Sequence, residues 1–384
     1  MAYNFPLSPN VGDGYQGYTW DGEKWLSPMG GVGAVRYDTP QALSAAEQAQ
    51  ARTNISVNAA NPVPSDNILI NGGMEVSQEF GATATTKPAA YSYTLDMWNG
   101  YMSGTGTAGF AQEAVPVGTI ARGFRNHLRY YCGTAFTMAG GGDLMMISQE
   151  IEGTRFARLG FGAAGALNVT VSFWIYATNT GTISLVLKNG PGGRSYPMPI
   201  TINSPNTWEY KTVTFPGDTM GTWPIDNTLG ARLCFVFGAG SGYKLQAPSA
   251  WNTDASCFGH IGMSNLYATA SANVSIAGVT MLPGNVGPTA AQSPLMMRNY
   301  AEDLQLCLRY WEKTYHNIAG SQDNASNNHL TWFFKVTKRA VPTFTAAAGS
   351  LTTGVYATEI DGVNVYKSNS PVVLNAGSTA AARL

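Results

Sequence analysis

The sequence predicts a mainly β protein built on an antiparallel two-sheet jelly-roll sandwich. Three observations predict this fold class. Apolar and polar residues alternate with a period of two over 169–176, which is typical of a strand with one buried face. Charged residues make up only 12% of the chain, against 44 glycines and 11% aromatic residues. About ten short segments separated by Gly, Pro and Asn clusters favour a jelly roll over the alternative, an up-and-down barrel.

The predicted fold is organised around residues 169–215. Apolar side chains from Val169 to Ile175 are predicted to face the core. Turn formers follow at 179–181, and 183–188 is predicted to be the hairpin partner of the first strand. After a loop rich in Gly and Pro, 208–215 is predicted to be the next strand.

The chain of 384 residues is long enough for two or three domains at roughly 100–200 residues each. We predict an N-terminal β attachment unit at 1–38 and a short helix and hinge at 39–66. The jelly roll is predicted at 67–290, and a C-terminal helix plus β region at 291–384.

The N-terminal unit is predicted to dock on a larger assembly. Asp21 and Gly22 lie between Thr19-Trp20 and Lys24-Trp25, which is the pattern of a tight hairpin. A unit of 38 residues without cysteine buries too little surface to be stable alone.

The linker is predicted to be helical over 39–58, because this segment is rich in Ala and because Ser44 and Glu47 fit a capping box. A helix this short is marginal in isolation, so it forms either a simple linker or part of a three-helix stem. Pro62 and Pro64 predict an extended hinge.

Further elements follow from the same patterns. Strands of the main domain are predicted at 68–76, 91–98, 124–130, 144–151 and 231–237. A change of phase across Gly278 predicts a β-bulge. In the last region, a helix at 294–306, strands at 308–315, 330–337 and 341–345, and a hairpin over 351–366 that turns at Asp361-Gly362 are predicted. Pro342 would confine its strand to a sheet edge or a strand start.

Composition excludes several functions. A formal net charge of −1 gives no strong attraction to nucleic acid or anionic lipid. No apolar run approaches the roughly 18 residues of a membrane span, so no membrane insertion is expected. Residues 1–10 lack the regions of a signal peptide, which predicts synthesis in the cytoplasm. The cysteines have no metal-like spacing and are predicted to be buried and reduced: Cys132, Cys234, Cys257 and Cys307.

Four stretches occur in a specific order along 15–345. They are Gln41–Ile55, Asn67-Ile-Leu-Ile-Asn-Gly-Gly-Met74 with Asp96-Met-Trp98, Ile147-Ser-Gln-Glu-Ile-Glu-Gly153 with Ser172-Phe-Trp174, and Ile276–Gly284 followed by Glu302–Trp311. Together they make the chain similar to tail-fibre and receptor-binding proteins of tailed bacteriophages.

This resemblance implies a virion tail component made in the host cytoplasm, commonly a homotrimer, with a jelly roll like that of carbohydrate-binding modules. It also implies docking to other phage tail proteins through 1–38, where Tyr18, Trp20 and Trp25 are the candidate contact residues. The family usually carries Glu at the position of Pro283, so no carboxylate-dependent role is assigned there.

Catalytic motifs are not found in the sequence. The histidines are His127, His260, His316 and His329, and they form no metal or nucleophile motif. No phosphate loop is present, and no cofactor is expected. Asp143, Glu150 and Glu152 are the carboxylates that could act in glycoside hydrolysis, but solvent-facing charges on a sheet edge are the favoured interpretation.

Sugar binding needs flat apolar surfaces for the pyranose face and planar polar groups for the hydroxyls. Trp223 and Trp251 lie in turn-rich loops and are the predicted stacking residues. The other candidates in comparable loops are Tyr196, Tyr243, Arg194 and Asn252. Trp174 and Trp208 lie in regular strands and are predicted to pack in the core.

The resemblance implies that a calcium ion is common in jelly-roll sugar-binding modules. Asp218, Asp226 and Asp254 are possible oxygen donors, yet no spacing demands a calcium site.

Together with this resemblance, the sequence predicts a phage tail fibre that attaches by its N-terminus and binds host surface polysaccharide without cleaving it. Two alternatives remain open: a purely structural tail, collar or baseplate component, and a glycan-cleaving depolymerase on the same fold.

Overall fold

The computed structural model describes most of the chain after residue 62 and short pieces before it. The described residues are 8–15, 18–20, 22–23, 25–26, 63–87, 92–120, 123–243, 245–315, 317–319, 328–350, 352, 354–367 and 373–384. The chain forms two compact units, Met1–Asn61 and Pro62–Leu384. The predicted helix at 39–58 lies outside the described residues.

The first unit contains a three-stranded antiparallel sheet of β1 (Gly14–Tyr15), β2 (Tyr18–Trp20) and β3 (Trp25–Leu26), in that order. Trp20 pairs with Trp25 across the turn, which confirms the predicted hairpin. Gly22 has a φ of 110°, a conformation that glycine adopts readily. The proposed role of Tyr18, Trp20 and Trp25 in attachment stays a prediction.

The second unit is dominated by a sandwich of two six-stranded antiparallel sheets. Its strands are β4 (Thr85–Lys87), β5 (Ser92–Leu95), β6 (Trp98–Ser103), β7 (Thr107–Ala114), β8 (Asn126–Thr134), β9 (Leu144–Glu152), β10 (Val169–Ala177), β11 (Gly181–Asn189), β12 (Ser195–Ile202), β13 (Thr207–Phe215), β14 (Leu229–Ala239) and β15 (Asn273–Pro283). The first sheet has the order β13-β10-β15-β8-β7-β4, and the second has the order β12-β11-β14-β9-β6-β5. This arrangement confirms the predicted jelly-roll sandwich rather than a barrel.

The core lies between the two sheets, where the inward side chains of both interdigitate. Phe173 of β10 contacts Phe235 of β14 at 4.9 Å between ring centroids, and both are fully buried. The inward residues of β10 run from Val169 to Ile175 with at most 1% exposure, as the alternation predicts. The bulge predicted at Gly278 is confirmed by the register shift between β10 and β15 and by a φ of 59°.

The strand at 183–188 is not the hairpin partner of β10, so that prediction was wrong. β11 belongs to the second sheet and pairs with β12 and β14, whereas β10 pairs with β13 and β15. The turn therefore carries the chain from the first sheet to the second, and its Asn179 Nδ2 donates to the carbonyl of Leu266 at 2.8 Å and to Thr269 at 3.0 Å.

The segment 68–76 is buried but forms no strand, which corrects another prediction. Side chains satisfy part of its backbone, since Gln149 exchanges two hydrogen bonds of 2.8 Å with the N–H and C=O of Ile70. Two isolated backbone hydrogen bonds with β15, from Ile68 N to Met281 O and from Val279 N to Gly72 O, do not make a ladder. Arg155 donates to the carbonyl of Ile68. Asn71 and Met74 have φ values of 55° and 59°, which interrupt an extended backbone.

Two other predicted elements are divided. The strand at 91–98 is split into β5 and β6 by a turn at Met97, whose φ is 70°. The helix at 294–306 is divided into a 3-10 turn, Ser293–Met296, and a helix that begins only at Tyr300. The side chain of Asn299 caps that helix by accepting from Glu302 N, so the start is set by the cap.

Helices are few in the described chain. They are α1 (Gly153–Phe156), α2 (Tyr300–Leu308) and short 3-10 turns at Pro64–Asp66, Ala157–Leu159, Ser241–Tyr243 and Ser293–Met296. No helix among the described residues has the length and apolarity needed to cross a lipid bilayer.

The C-terminal region adds small antiparallel sheets against the sandwich. Its strands are β16 (Trp311–Lys313), β17 (Ile318–Ala319), β18 (Asn328–Phe333), β19 (Thr343–Thr345), β20 (Gly354–Thr358), β21 (Gly362–Lys367), β22 (Val373–Leu374) and β23 (Thr379–Ala381). β20 and β21 form the hairpin predicted at Asp361-Gly362. β19 is an edge strand that begins directly after Pro342, as expected for a residue without an N–H.

Candidate functional site

Most of the candidate loop residues are brought together, but as a buried cluster at one end of the sandwich. Arg194, Tyr196 and Trp223 are only 8%, 6% and 6% exposed. The ring of Trp223 stacks on Phe156 at 5.2 Å and meets Phe161 at 4.8 Å. Since a buried ring offers no face to a sugar, Trp223 and Tyr196 act as core residues in this conformation.

The Arg194 side chain is also buried, and it is paired with a carboxylate. Its Nε and Nη2 each donate to Asp218 at 2.7 Å, which forms a buried bidentate ion pair. These hydrogen bonds raise the pKa of the guanidinium. Asp218 is therefore neutralised by Arg194, and no group of three metal-ligating side chains occurs in the part of the chain that the structure describes.

The remaining candidates are Trp251, Asn252 and Tyr243. Trp251 is half-buried, with its ring 5.1 Å from that of Tyr196 and its Nε1 donating to the carbonyl of Pro216. The Asn252 side chain forms two hydrogen bonds with Ser195. Its Oδ1 accepts from the Ser195 hydroxyl at 2.8 Å, and its Nδ2 donates to the Ser195 carbonyl at 3.0 Å. Tyr243 lies apart, on the outer face of the second sheet beside Phe258. Sugar binding by these residues stays a prediction.

Glu150 and Glu152 are buried in the central strand β9, not exposed on a sheet edge as predicted. Glu150 accepts from Arg232 at 2.6 Å, and Glu152 accepts from Arg309 at 2.7 Å and from Tyr310 at 2.6 Å. Burial raises the pKa of Glu150. The pKa of Glu152 is lowered, because its hydrogen bonds to Arg309 and Tyr310 outweigh its burial. Each carboxylate thus has an arginine partner within the fold.

An open cleft of about 400 Å³ crosses the outer face of the first sheet. Strands β13, β10, β15, β8 and β7 form its floor, so its side chains come from distant parts of the chain. Its walls include Trp208, Tyr176, Asn206, His127, Arg129 and Glu113. We refer to this feature as the sheet-face cleft.

Trp208 and Tyr176 face the cleft because of the strand register. Val169 pairs with Phe215 and Val171 with Val213, which turns the alternate positions of β10 and β13 outward. Tyr176 lies directly opposite Trp208, with ring centroids 5.7 Å apart. The prediction that Trp174 and Trp208 pack in the core was wrong, because both occupy the outward phase of their strands.

The polar groups of the cleft are arranged around His127. Its ring meets Trp208 edge to face at 5.4 Å, and its Nε2 lies 3.9 Å from Glu113. Glu113 accepts from Arg129 at 2.9 Å, and both of these side chains are more than a third exposed. Tyr176 donates its hydroxyl to Asn206 Oδ1 at 3.0 Å. The cleft therefore offers two ring faces beside a cation, an anion and an amide.

His127 is neutral at physiological pH. Burial of its ring lowers the pKa to about 4, although the nearby Glu113 acts in the opposite direction. Nδ1 of this ring has no hydrogen-bond partner among the described residues. Because the imidazole of His127 is uncharged, it adds no second positive charge beside Arg129.

The free energy of unfolding should fall as the pH is lowered from about 7 to about 4. The unfolded chain binds a proton at His127 near its ordinary pKa of 6.5, whereas the folded chain resists protonation until about 4. This residue should account for a loss of about 2–3 kcal/mol. Urea unfolding of the wild type and of His127→Gln at both pH values measures it. An equal pH dependence in the two proteins would contradict the assignment.

The cleft suits a ligand with flat apolar faces and several hydroxyl groups. Its volume lies towards the lower end of the roughly 300–1,000 Å³ of small-ligand sites. The sequence contained a signal for it, since Tyr176 and Trp208 share the phase of polar residues on their strands. Their proximity depends on the register, which sequence periodicity does not specify.

The chain is similar to several solved structures at low sequence identity. No protein-family model matches the chain, and no curated protein sequence matches it. Among solved structures, it is similar to TmCBM61 in complex with β-1,4-galactotriose, at 11% identity and a TM-score of 0.28 over 56% of this chain and 98% of that one. The family 11 carbohydrate-binding module from Clostridium thermocellum, in complex with a β-1,3-1,4-mixed-linked tetrasaccharide, matches at 13% identity and a TM-score of 0.27, over 53% of this chain and 98% of the other.

A third structure is the enzymatically active domain of tailspike protein 4 of bacteriophage CBA120. It matches at 11% identity and a TM-score of 0.28 over 57% of this chain, and the match spans 22% of that chain. At these identities and TM-scores, the function of the chain has to be argued from its own residues.

Proposed function

We propose that this chain is a bacteriophage tail appendage protein that binds host surface polysaccharide at the sheet-face cleft without cleaving it. The observation that carries the proposal is the pairing of two half-buried ring faces, Tyr176 and Trp208, with the polar groups of Arg129, Glu113 and Asn206. Rings of this kind stack on the apolar faces of pyranoses, while planar polar groups bind hydroxyls.

The positions of the carboxylates support binding without cleavage. Glu113 is the carboxylate that lines the cleft among the described residues, and it is paired with Arg129. Glycoside hydrolysis needs two carboxyl groups on either side of the scissile bond. Glu150 and Glu152 are held in the interior by arginines and do not line this cleft.

The virion role rests on the resemblance of the sequence to tail fibres and on the separate N-terminal unit. In this proposal, residues 1–38 attach the protein to other tail proteins, and three copies present their clefts together. Trimerisation would raise the avidity of weak single sites by a large factor. Light scattering of the full chain tests the trimer, and a monomer would count against this part of the proposal.

Trp208→Ala should weaken binding of a recognised polysaccharide by about 30-fold, because it removes the largest ring face of the cleft. A glycan array, followed by adsorption of the full chain to bacterial cells, measures this loss. Phe333→Ala is the matched control: Phe333 is 75% exposed on β18, and its loss should leave binding unchanged.

Other results would change the assignment. Equal binding by the wild type and Trp208→Ala would remove the sheet-face cleft from the proposal. No binding of any glycan or cell would favour a purely structural tail component. Release of reducing sugar by the wild type would favour a depolymerase.

A further inference from the structure

The outer face of the first sheet carries two cross-strand aromatic pairs, of which only one lines the cleft. Tyr176 opposes Trp208, and two residues earlier on the same strand Trp174 opposes Tyr210. The Trp174 and Tyr210 rings are 5.2 Å apart and tilted by 53°, much like the 5.7 Å and 48° of the open pair. Because alternate residues share a face, the four rings form one aromatic platform.

Residues 284–293, which we refer to as the strap, cover the second pair. Trp174 Nε1 donates to Ser293 Oγ at 3.1 Å, and Tyr210 donates its hydroxyl to the carbonyl of Pro288 at 2.7 Å. Burial raises the pKa of Tyr210. The strap thus gives the indole N–H and the phenol hydroxyl the oxygen acceptors that a saccharide would otherwise provide.

The strap is attached to the sheet through few groups. It is not a strand of either sheet, and its other hydrogen bonds to the sheet lie at its first two residues. Thr170 Oγ1 donates to the carbonyl of Gly284 at 2.7 Å, Gly284 N donates to the carbonyl of Asn168 at 2.7 Å, and Asn168 Nδ2 donates to Asn285 Oδ1 at 2.6 Å. Residues 285–286, 289 and 291–292 are exposed to solvent. Its own turn is closed internally, since Ser293 N donates to Thr289 O. Lifting the whole strap would therefore break five hydrogen bonds and leave its turn intact.

Gly287 allows the strap to lie close to the sheet. A Cβ at this position would collide with the Ser172 hydroxyl and would lie 3.0 Å from Thr170 Cγ2. Contacts this short are tighter than ordinary van der Waals packing and would force the strap away from the strands. The close approach therefore depends on the absence of a side chain at Gly287.

We propose that Trp174 and Tyr210 form a second glycan subsite beneath the strap, which a longer oligosaccharide reaches by displacing residues 284–293. The proposal rests on the proposed function, because it extends the aromatic platform of the sheet-face cleft. A short saccharide fills the cleft alone. A longer chain of the same sugars adds stacking on Trp174 and supplies the acceptors that Ser293 and Pro288 now provide.

The test uses the full chain labelled with 5-fluorotryptophan and observed by fluorine NMR. Trp174→Phe and Trp208→Phe assign the two resonances that matter. The probes are disaccharides and hexasaccharides of the cello-, laminari- and β-1,4-galacto- series. We expect disaccharides to shift the Trp208 resonance alone and a hexasaccharide to shift both resonances.

Gly287→Ala should lift the strap and shift the Trp174 resonance without any ligand. Its affinity for the hexasaccharide should rise about tenfold, because the ligand no longer has to break the hydrogen bonds of the strap, while its affinity for the disaccharide stays unchanged. Gly193→Ala is the matched control, since nothing lies within 4 Å of a Cβ there. Ser293→Ala removes the acceptor of Trp174 together with the hydrogen bond from Ser293 Oγ to the carbonyl of Ala290, and it should act in the same direction if Gly287→Ala folds poorly.

The outcomes separate the two proposals. A Trp174 resonance that stays fixed at saturating hexasaccharide, while Trp208 responds, would overturn the subsite and leave the cleft in place. Neither resonance responding to any probe would overturn both. Equal affinities of Ser293→Ala and the wild type for the hexasaccharide would also contradict displacement of the strap.

Discussion

Replacing Glu312 by alanine should lower the free energy of unfolding by about 3–5 kcal/mol. Glu312 of β16 accepts from Lys338 Nζ at 2.6 Å, and the side chains are 1% and 0% exposed respectively. The ammonium also donates to the carbonyl of Leu308 and lies 4.9 Å above the ring of Phe334. Without Glu312, a cation would remain buried with only these neutral partners.

Burial lowers the pKa of Lys338, and the nearby carboxylate opposes that effect. The destabilisation therefore comes from the unpaired charge rather than from the loss of an attraction. Chemical denaturation of the full chain measures it. The double variant Glu312→Leu, Lys338→Met removes both charges and should recover most of the loss. A single variant within about 1 kcal/mol of the wild type would show that this pair is not a buried charge pair in solution.

Arg194→Met should be comparably destabilising, by about 3–5 kcal/mol, because it leaves the 2%-exposed Asp218 without its bidentate partner. Asp218 would keep only weaker donors, among them Trp223 Nε1 at 3.3 Å. The guanidinium also lies 5.7 Å from the ring of Trp251, so the aromatic cluster would lose a packing partner. Thermal unfolding measures the change.

Arg125→Met is the matched control, since Arg125 forms an ion pair with Glu75 but is 73% exposed. Its loss should cost no more than about 1 kcal/mol. The Arg194→Met protein that remains folded should bind glycan at the sheet-face cleft as the wild type does. Loss of binding without loss of stability would instead restore Arg194 as a ligand-contacting residue.

Strands with one buried face could be predicted from the sequence, because alternation records burial directly. β10, β13 and the bulge at Gly278 are examples. Which strands pair could not be predicted in the same way. The turn after β10 contains ordinary turn formers, while its hydrogen bonds reach Leu266 and Thr269, far along the chain, and β11 pairs within the opposite sheet.

The prediction of a strand at 68–76 was wrong for a related reason. The apolar residues of this segment suggest a strand, but its backbone is satisfied by the side chains of Gln149 and Arg155 and by isolated hydrogen bonds to β15 rather than by a ladder. Hydrogen-bond partners from distant parts of the chain leave no periodic pattern in the sequence. Gly72 shows the same dependence, since a Cβ there would collide with the carbonyl of Val279.

The exposure of an aromatic side chain could not be inferred from whether its residue lies in a loop or in a strand. Trp223 lies in an irregular segment yet is buried, because Phe156 and Phe161 pack on both sides of it. Trp208 lies in a regular strand yet faces the cleft, because the outer face of the first sheet is only partly covered. The type of local structure therefore did not decide which rings a ligand can reach.

The burial of all nine residues of β9 limits how the protein can diversify. A substitution in that strand meets packed neighbours on one side or the other, so most changes would destabilise the chain by about 1–3 kcal/mol without altering its surface chemistry. Around Tyr176, Asn206 and Trp208 a new side chain meets solvent instead. Evolutionary drift should therefore be concentrated on exposed surfaces such as this one, whose chemistry can change over generations while the scaffold beneath it stays constant.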